Sequence, residues 1–96
     1  MGPEAPEFDW DDANRSHIAL HNATPEEVEQ AILDPHAVLL EIQLNSDEER
    51  VKALGMTTEG RILSVVFTFR RNAIRPITAY TATVRLQELY LRRRGT

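Results

Sequence analysis

The sequence predicts an α+β domain built as an antiparallel four-stranded sheet, with two N-terminal helices and one C-terminal helix packed on it. Three observations carry this. Two segments of helical period with capping residues open the chain, apolar alternation of period two takes over at Ala37, and residues 82–93 return to a helical period. Helical and extended segments are grouped along the chain and do not alternate, which argues for helices laid on an antiparallel sheet.

Each element has a local cause. Residues 1–7 read as a flexible tail and residues 8–96 as a single domain, since 96 residues supply one hydrophobic core. Phe8-Asp9-Trp10-Asp11 alternates apolar and acidic residues and reads as a short strand or an extended lead-in. Asp11 or Asp12 then caps a helix running to about Leu20, which Asn22-Ala23 breaks. In Thr24-Pro25-Glu26-Glu27 the threonine is an N-cap, the proline an N1 residue and Glu27 the closing member of a capping box. The helix that follows turns Val28, Ala31 and Ile32 inward and ends at Asp34-Pro35. From Ala37, Val38, Leu40, Ile42 and Leu44 alternate with Leu39, Glu41 and Gln43. Asn45-Ser46-Asp47 reads as a turn, Arg50 to Met56 as a second strand, and Thr57-Thr58-Glu59-Gly60 as a hairpin loop. Ile62 to Phe69 is the most β-prone stretch and is expected at the centre of the sheet. Arg71-Asn72-Ala73 turns the chain into a last strand, Ile74 to Tyr80, where Pro76 requires a sheet edge or a bulge. The closing helix turns Leu86, Leu89 and Tyr90 inward.

Composition removes several function classes. Without cysteine there is neither a disulfide scaffold nor a cysteine-ligated zinc site, and a cytoplasmic location fits. The longest apolar runs are too short to span a bilayer, and the acidic start is unlike a secretory signal, so no membrane partner is expected. Charge is divided: residues 1–60 carry three basic and 14 acidic side chains, residues 61–96 eight arginines and one acid. Such an arginine pole suits phosphate or carboxylate partners. It equally suits attraction between the two halves of the fold.

The ordered set of motifs resembles a known family. Phe8-Asp9-Trp10-Asp11, Asn14, His17-Ile18, His21 and Thr24-Pro25-Glu26-Glu27-Val28-Glu29 are similar to the opening of BrnT-like toxins. Glu49-Arg50-Val51-Lys52-Ala53-Leu54-Gly55, then Gly60-Arg61-Ile62-Leu63-Ser64-Val65-Val66-Phe67, resemble the middle of these toxins. Ile74-Arg75-Pro76-Ile77-Thr78-Ala79 and a helix with Arg85 and Tyr90 resemble the end. The resemblance implies a RelE-like fold and a bacterial type II toxin: a metal-independent endoribonuclease acting on mRNA, with no cofactor. It further implies a cognate antitoxin protein as partner, in a homodimer or a toxin–antitoxin hetero-oligomer. The chain departs from the family at three points. Tyr80 stands where the family usually has arginine, Asn22 where glycine often follows the histidine, and the closing helix is poor in Arg-Glu pairs. The alternative these departures raise is a toxin-like domain that only binds a protein partner or RNA.

Metal-free RNA cleavage requires a base for the 2′-hydroxyl proton, an acid for the leaving 5′-oxygen and cations for the phosphate. Histidine suits the first two roles and arginine the third. The catalytic candidates are His21, Arg50, Arg75 and Tyr80; the RNA-binding candidates are His17, Lys52, Arg61 and Arg85. Asn14, His17 and His21 share one helix face. His17 is expected to pack on the sheet with its nitrogens bonded to backbone, leaving His21 as the base or acid. A metal bound by His17 and His21 lacks a specified third ligand, and no metal site is assigned. Arg50 and Lys52 share a strand face, and the hairpin is expected to bring Arg61 near Arg50. A solvated face paired with Glu41, Glu48 or Glu49 is the plainer account of these charges. Tyr80 suits a phosphate contact, base stacking or core packing. Trp10 reads as a core anchor, His36 as a loop residue and Arg92-Arg93-Arg94 as a solvated end.

Overall fold

The computed structural model describes residues 6–45 and 48–95; Ser46 and Asp47 of the expected turn, and most of the expected tail, lie outside the described residues. Two helices, α1 (Asp12–Ala19) and α2 (Pro25–Leu33), precede β1 (Val38–Asn45), β2 (Glu48–Met56), β3 (Ile62–Arg70) and β4 (Ala73–Thr81), and α3 (Val84–Arg93) closes the chain. The strands form one antiparallel sheet in the order β1-β2-β3-β4. The α+β architecture predicted from the sequence is the one found. No helix among the described residues is long and apolar enough to cross a membrane.

Caps set both N-terminal helices. The Asp11 carboxylate accepts from the Asn14 amide at 3.1 Å, and the Asn14 side chain accepts from the Asp11 amide at 2.8 Å. Thr24 and Glu27 close the second capping box as the sequence indicates. Between the helices, Asn22 adopts φ 58°, a left-handed conformation that asparagine tolerates better than most residues. Arg71 and Asn72, at φ 53° and 67°, make the two-residue turn between β3 and β4.

The sheet carries helices on both faces. On one, α1 and α2 pack Ile18, Val28 and Ala31 against Ala53, Leu63, Val65 and Ala79, with Trp10, Ile32 and Phe67 at the margin. The alanines let α2 sit very close to the sheet. A Cβ placed on Gly55 would lie 1.9 Å from the Ala31 carbonyl oxygen, so only glycine fits beneath the helix. On the other face α3 packs Tyr90 with Leu54, Val38, Ile62 and Ala82, covering one end of the sheet. Burying each of the larger aliphatic side chains is worth about 1.5–3 kcal/mol.

Two bulges re-aim side chains. In β1 the register shifts between Leu39 and Glu41, so the expected single face of Val38, Leu40, Ile42 and Leu44 does not form. Val38 and Leu40 join the α3 side. Ile42 and Leu44 pair with Val51 and Glu49 and turn with Leu39 to the opposite face. There α2 does not cover them, and Leu44 is 77% exposed. In β4 the shift falls at Ile77, beside Pro76 on the sheet edge, which satisfies both ways of accommodating that proline. The other part of this edge is guarded: Asp9 donates its amide to the Ile74 carbonyl at 2.8 Å, and Ile74 donates to Glu7 at 2.9 Å.

Candidate functional site

The strand register builds the site. On the face that carries α3, three rows run across the sheet. Gln43, Arg50, Thr68 and Arg75 form the outermost row, followed by Glu41, Lys52, Val66 and Thr78. The third, Val38, Leu54, Ser64 and Tyr80, reaches the residues that α3 covers. The first two rows form an open cleft of ≈ 290 Å³ lined by Arg50, Lys52, Glu41, Gln43, Val66, Ile77 and Thr78.

A second cleft, ≈ 270 Å³, adjoins it at Arg50 and Ile77. Its other walls are Ala13, Asn14, His17, Glu48, Arg75 and Pro76. Here α1 lies against β4, anchored by Asn14, whose amide nitrogen donates to the Asp9 and Pro76 carbonyls at 2.9 Å each. Asn14 and Ile18 are the buried residues of α1, one turn apart. They take the inward face of the helix, which leaves His17 exposed on the cleft side. The expected packing of His17 on the sheet is therefore corrected.

His21 lies in the turn after α1, its ring centroid 6.0 Å from that of His17 and 5.9 Å from that of Tyr80. A row of His17, His21 and Tyr80 thus leads away from the two arginines. Of the expected catalytic group, Arg50 and Arg75 share one cleft with His17; His21 and Tyr80 do not line it and connect to it through the His17 ring.

The arginines differ in how firmly they are held. Arg75 is 18% exposed and bridges two acids of the lead-in, Nη1 at 3.5 Å from Asp9 Oδ2 and Nη2 at 3.0 Å from Asp11 Oδ2. Its buried Nη1 has no aligned hydrogen-bond acceptor among the described residues. The Asn14 backbone amide above all, helped by the Arg75 guanidinium, holds the Asp11 carboxyl below its ordinary pKa although desolvation opposes them. Among the described residues Arg50 pairs with Glu48, at 3.3 Å and well exposed. Such a pair is worth about 1 kcal/mol or less and holds the Arg50 side chain only weakly.

Arg61 stands elsewhere. Met56 pairs with Ile62 across the β2–β3 hairpin, while Arg50 pairs with Thr68 at its far end. Six strand residues, about 20 Å, separate the two ends, so the expected proximity of Arg61 to Arg50 is corrected. Arg61 donates to the Asn22 carbonyl at 2.7 Å, the His21 carbonyl at 3.2 Å, the Glu27 carboxylate at 3.2 Å and Thr81 Oγ1 at 2.9 Å. This arginine fixes the loop that carries His21. Arg85 is exposed in the first turn of α3 and lines neither cleft.

Sequence reasoning missed Asp9 and Asp11 as the holders of Arg75, and Asn14 as the clamp between α1 and β4. A signal existed for the acids: in Phe8-Asp9-Trp10-Asp11, residues two apart share a side of an extended chain. Trp10 takes the other side, packing on the core and donating Nε1–H to Glu29 at 2.8 Å. Among the described residues no group of three or more histidine, aspartate or glutamate side chains is placed to hold a metal ion.

No curated protein matches the chain. A family model, described as ribonuclease toxin, BrnT, of type II toxin-antitoxin system, matches residues 10–85. That span runs from Trp10 through both clefts to the first turn of α3, and the chain belongs to the BrnT family of ribonuclease toxins of type II toxin–antitoxin systems.

Proposed function

We propose that this chain is a toxin that cleaves mRNA in the cytoplasm without a metal ion, at the cleft between α1 and β4. The observation that carries this is the convergence of His17, Arg50 and Arg75 on one cleft, with the His21 ring 6.0 Å from that of His17. Arg50 and Arg75 bind the scissile phosphate, with Lys52 extending the basic surface along the next row. His17 and His21 act as the acid–base pair. One takes the proton of the ribose 2′-oxygen as that oxygen bonds to phosphorus; the other gives a proton to the 5′-oxygen as its bond to phosphorus breaks. The products are a 2′,3′-cyclic phosphate and a 5′-hydroxyl end. Cations preset around the phosphate stabilise the charge that builds on it. Membership of a type II family implies a cognate antitoxin, which joins the toxin in a hetero-oligomer in this reading.

End-group analysis of RNA treated in EDTA tests the reaction type. Cyclic phosphate and 5′-hydroxyl ends are expected; 3′-hydroxyl ends, or cleavage only with added metal, would contradict it. A second reading, a domain that keeps only partner binding, is supported by the exposed apolar row of Leu39, Ile42 and Leu44. It predicts no cleavage under any of these conditions.

A further inference from the structure

Tyr80 has a specific place in the sheet. Its row of the sheet ends at the open edge of β4, on the face that carries Arg50 and Lys52, two rows along from Arg75. The ring is half-buried, and His21 beside it is exposed. The two rings lie 5.9 Å apart with their planes at 59°, so they make a corner and not a stack. A planar group resting on one ring meets the other edge-on. Tyr80 supplies an aromatic face at the sheet edge. Stacking on an aromatic face is how unpaired bases are held, and it tolerates any base. A paired base has its faces covered by its neighbours and cannot use the corner.

We infer that Tyr80, with His21 at its edge, is a base-stacking subsite for one nucleotide flanking the phosphate bound by Arg50 and Arg75, which restricts the substrate to single-stranded RNA. The inference rests on the proposed RNA site. It assigns Tyr80 to holding the base and leaves the phosphate to the two arginines. His17 lies between them, its ring 6.0 Å from that of His21. The nucleotide on Tyr80 therefore lies on the His21 side of the phosphate held by the arginines.

The test uses a short single-stranded oligouridylate, 2′-O-methylated throughout so that it cannot be cut, with one 2-aminopurine placed at each position in turn. Binding is followed by anisotropy and stacking by quenching of the 2-aminopurine. The wild type is expected to quench at one position more than at the others, and Tyr80→Phe to keep both quenching and affinity. Tyr80→Leu, with an unchanged circular dichroism spectrum and melting profile, is expected to lose the quenching and weaken binding roughly 5- to 150-fold. Equal quenching by folded Tyr80→Leu, absence of quenching at saturating wild type, or no binding overturns the subsite. Cleavage of the unmethylated strand is scored separately. Quenching without cleavage supports the subsite and removes the catalytic proposal; cleavage without quenching does the reverse.

Discussion

The Tyr90 hydroxyl donates to the Asp34 carboxylate, joining α3 to the residue that ends α2 around the end of the sheet. Asp34 also accepts from the Met56 amide at 2.8 Å and the His36 amide at 2.8 Å. One carboxylate thus ties α2, β2 and α3 together. Desolvation raises the Asp34 pKa, but these three donors outweigh it and leave the carboxyl below its ordinary value. Burial first, and then the Asp34 charge, push the Tyr90 phenol up from 10.0 to about 12.

Tyr90→Phe is therefore expected to lower stability by about 1.5–3 kcal/mol in urea unfolding. The pH dependence follows from the two directions. Asp34 contributes fully above the ordinary carboxyl range and is lost as pH falls through its lowered folded value. Tyr90 contributes fully below pH 10 and is lost as pH rises towards about 12. The alkaline limb should be missing from Tyr90→Phe; an identical limb in that variant would remove Tyr90 as its source.

Gly55→Ala should be among the most damaging single substitutions. The new methyl meets the Ala31 carbonyl at 1.9 Å, backbone against β-carbon, so α2 must lift off the sheet. A loss of at least about 3 kcal/mol is expected from thermal or urea unfolding. Wild-type stability in this variant would mean that α2 sits farther from β2 than described.

Much of this fold was legible in local chemistry, and the limits were physical. Thr24-Pro25 and Glu27 declare a helix start because the cap satisfies its own amides, whatever the rest of the chain does. Pro76 declares an edge or bulge because it has no amide to give. Ile42 and Leu44 misled because a single inserted residue at Leu40 reverses every later side chain, and alternation alone cannot reveal a bulge. The arginine–histidine cleft was half legible. Arg50 and Arg75 stood out, but which histidine faces them depends on Asn14 and Ile18 turning α1, a matter of tertiary packing.

Arg61→Ala is expected to act on the scaffold. It removes the donors that hold the carbonyls of His21 and Asn22, and the mostly shielded ion pair to Glu27. Stability should fall by about 1.5–3 kcal/mol. Arg61→Lys should restore little of it, since a point charge cannot serve acceptors that a planar fork spans. Full restoration by lysine would show that charge alone matters at this position.

The most direct test of the central claim is RNA cleavage in EDTA by the wild type beside His17→Ala. His17 is exposed and outside the core, so its removal should leave folding intact by circular dichroism. The account predicts cleavage by the wild type and a fall of about 10²–10⁴ in rate for His17→Ala. Equal cleavage by His17→Ala, or none by the wild type, would contradict the assignment of this cleft as the catalytic site.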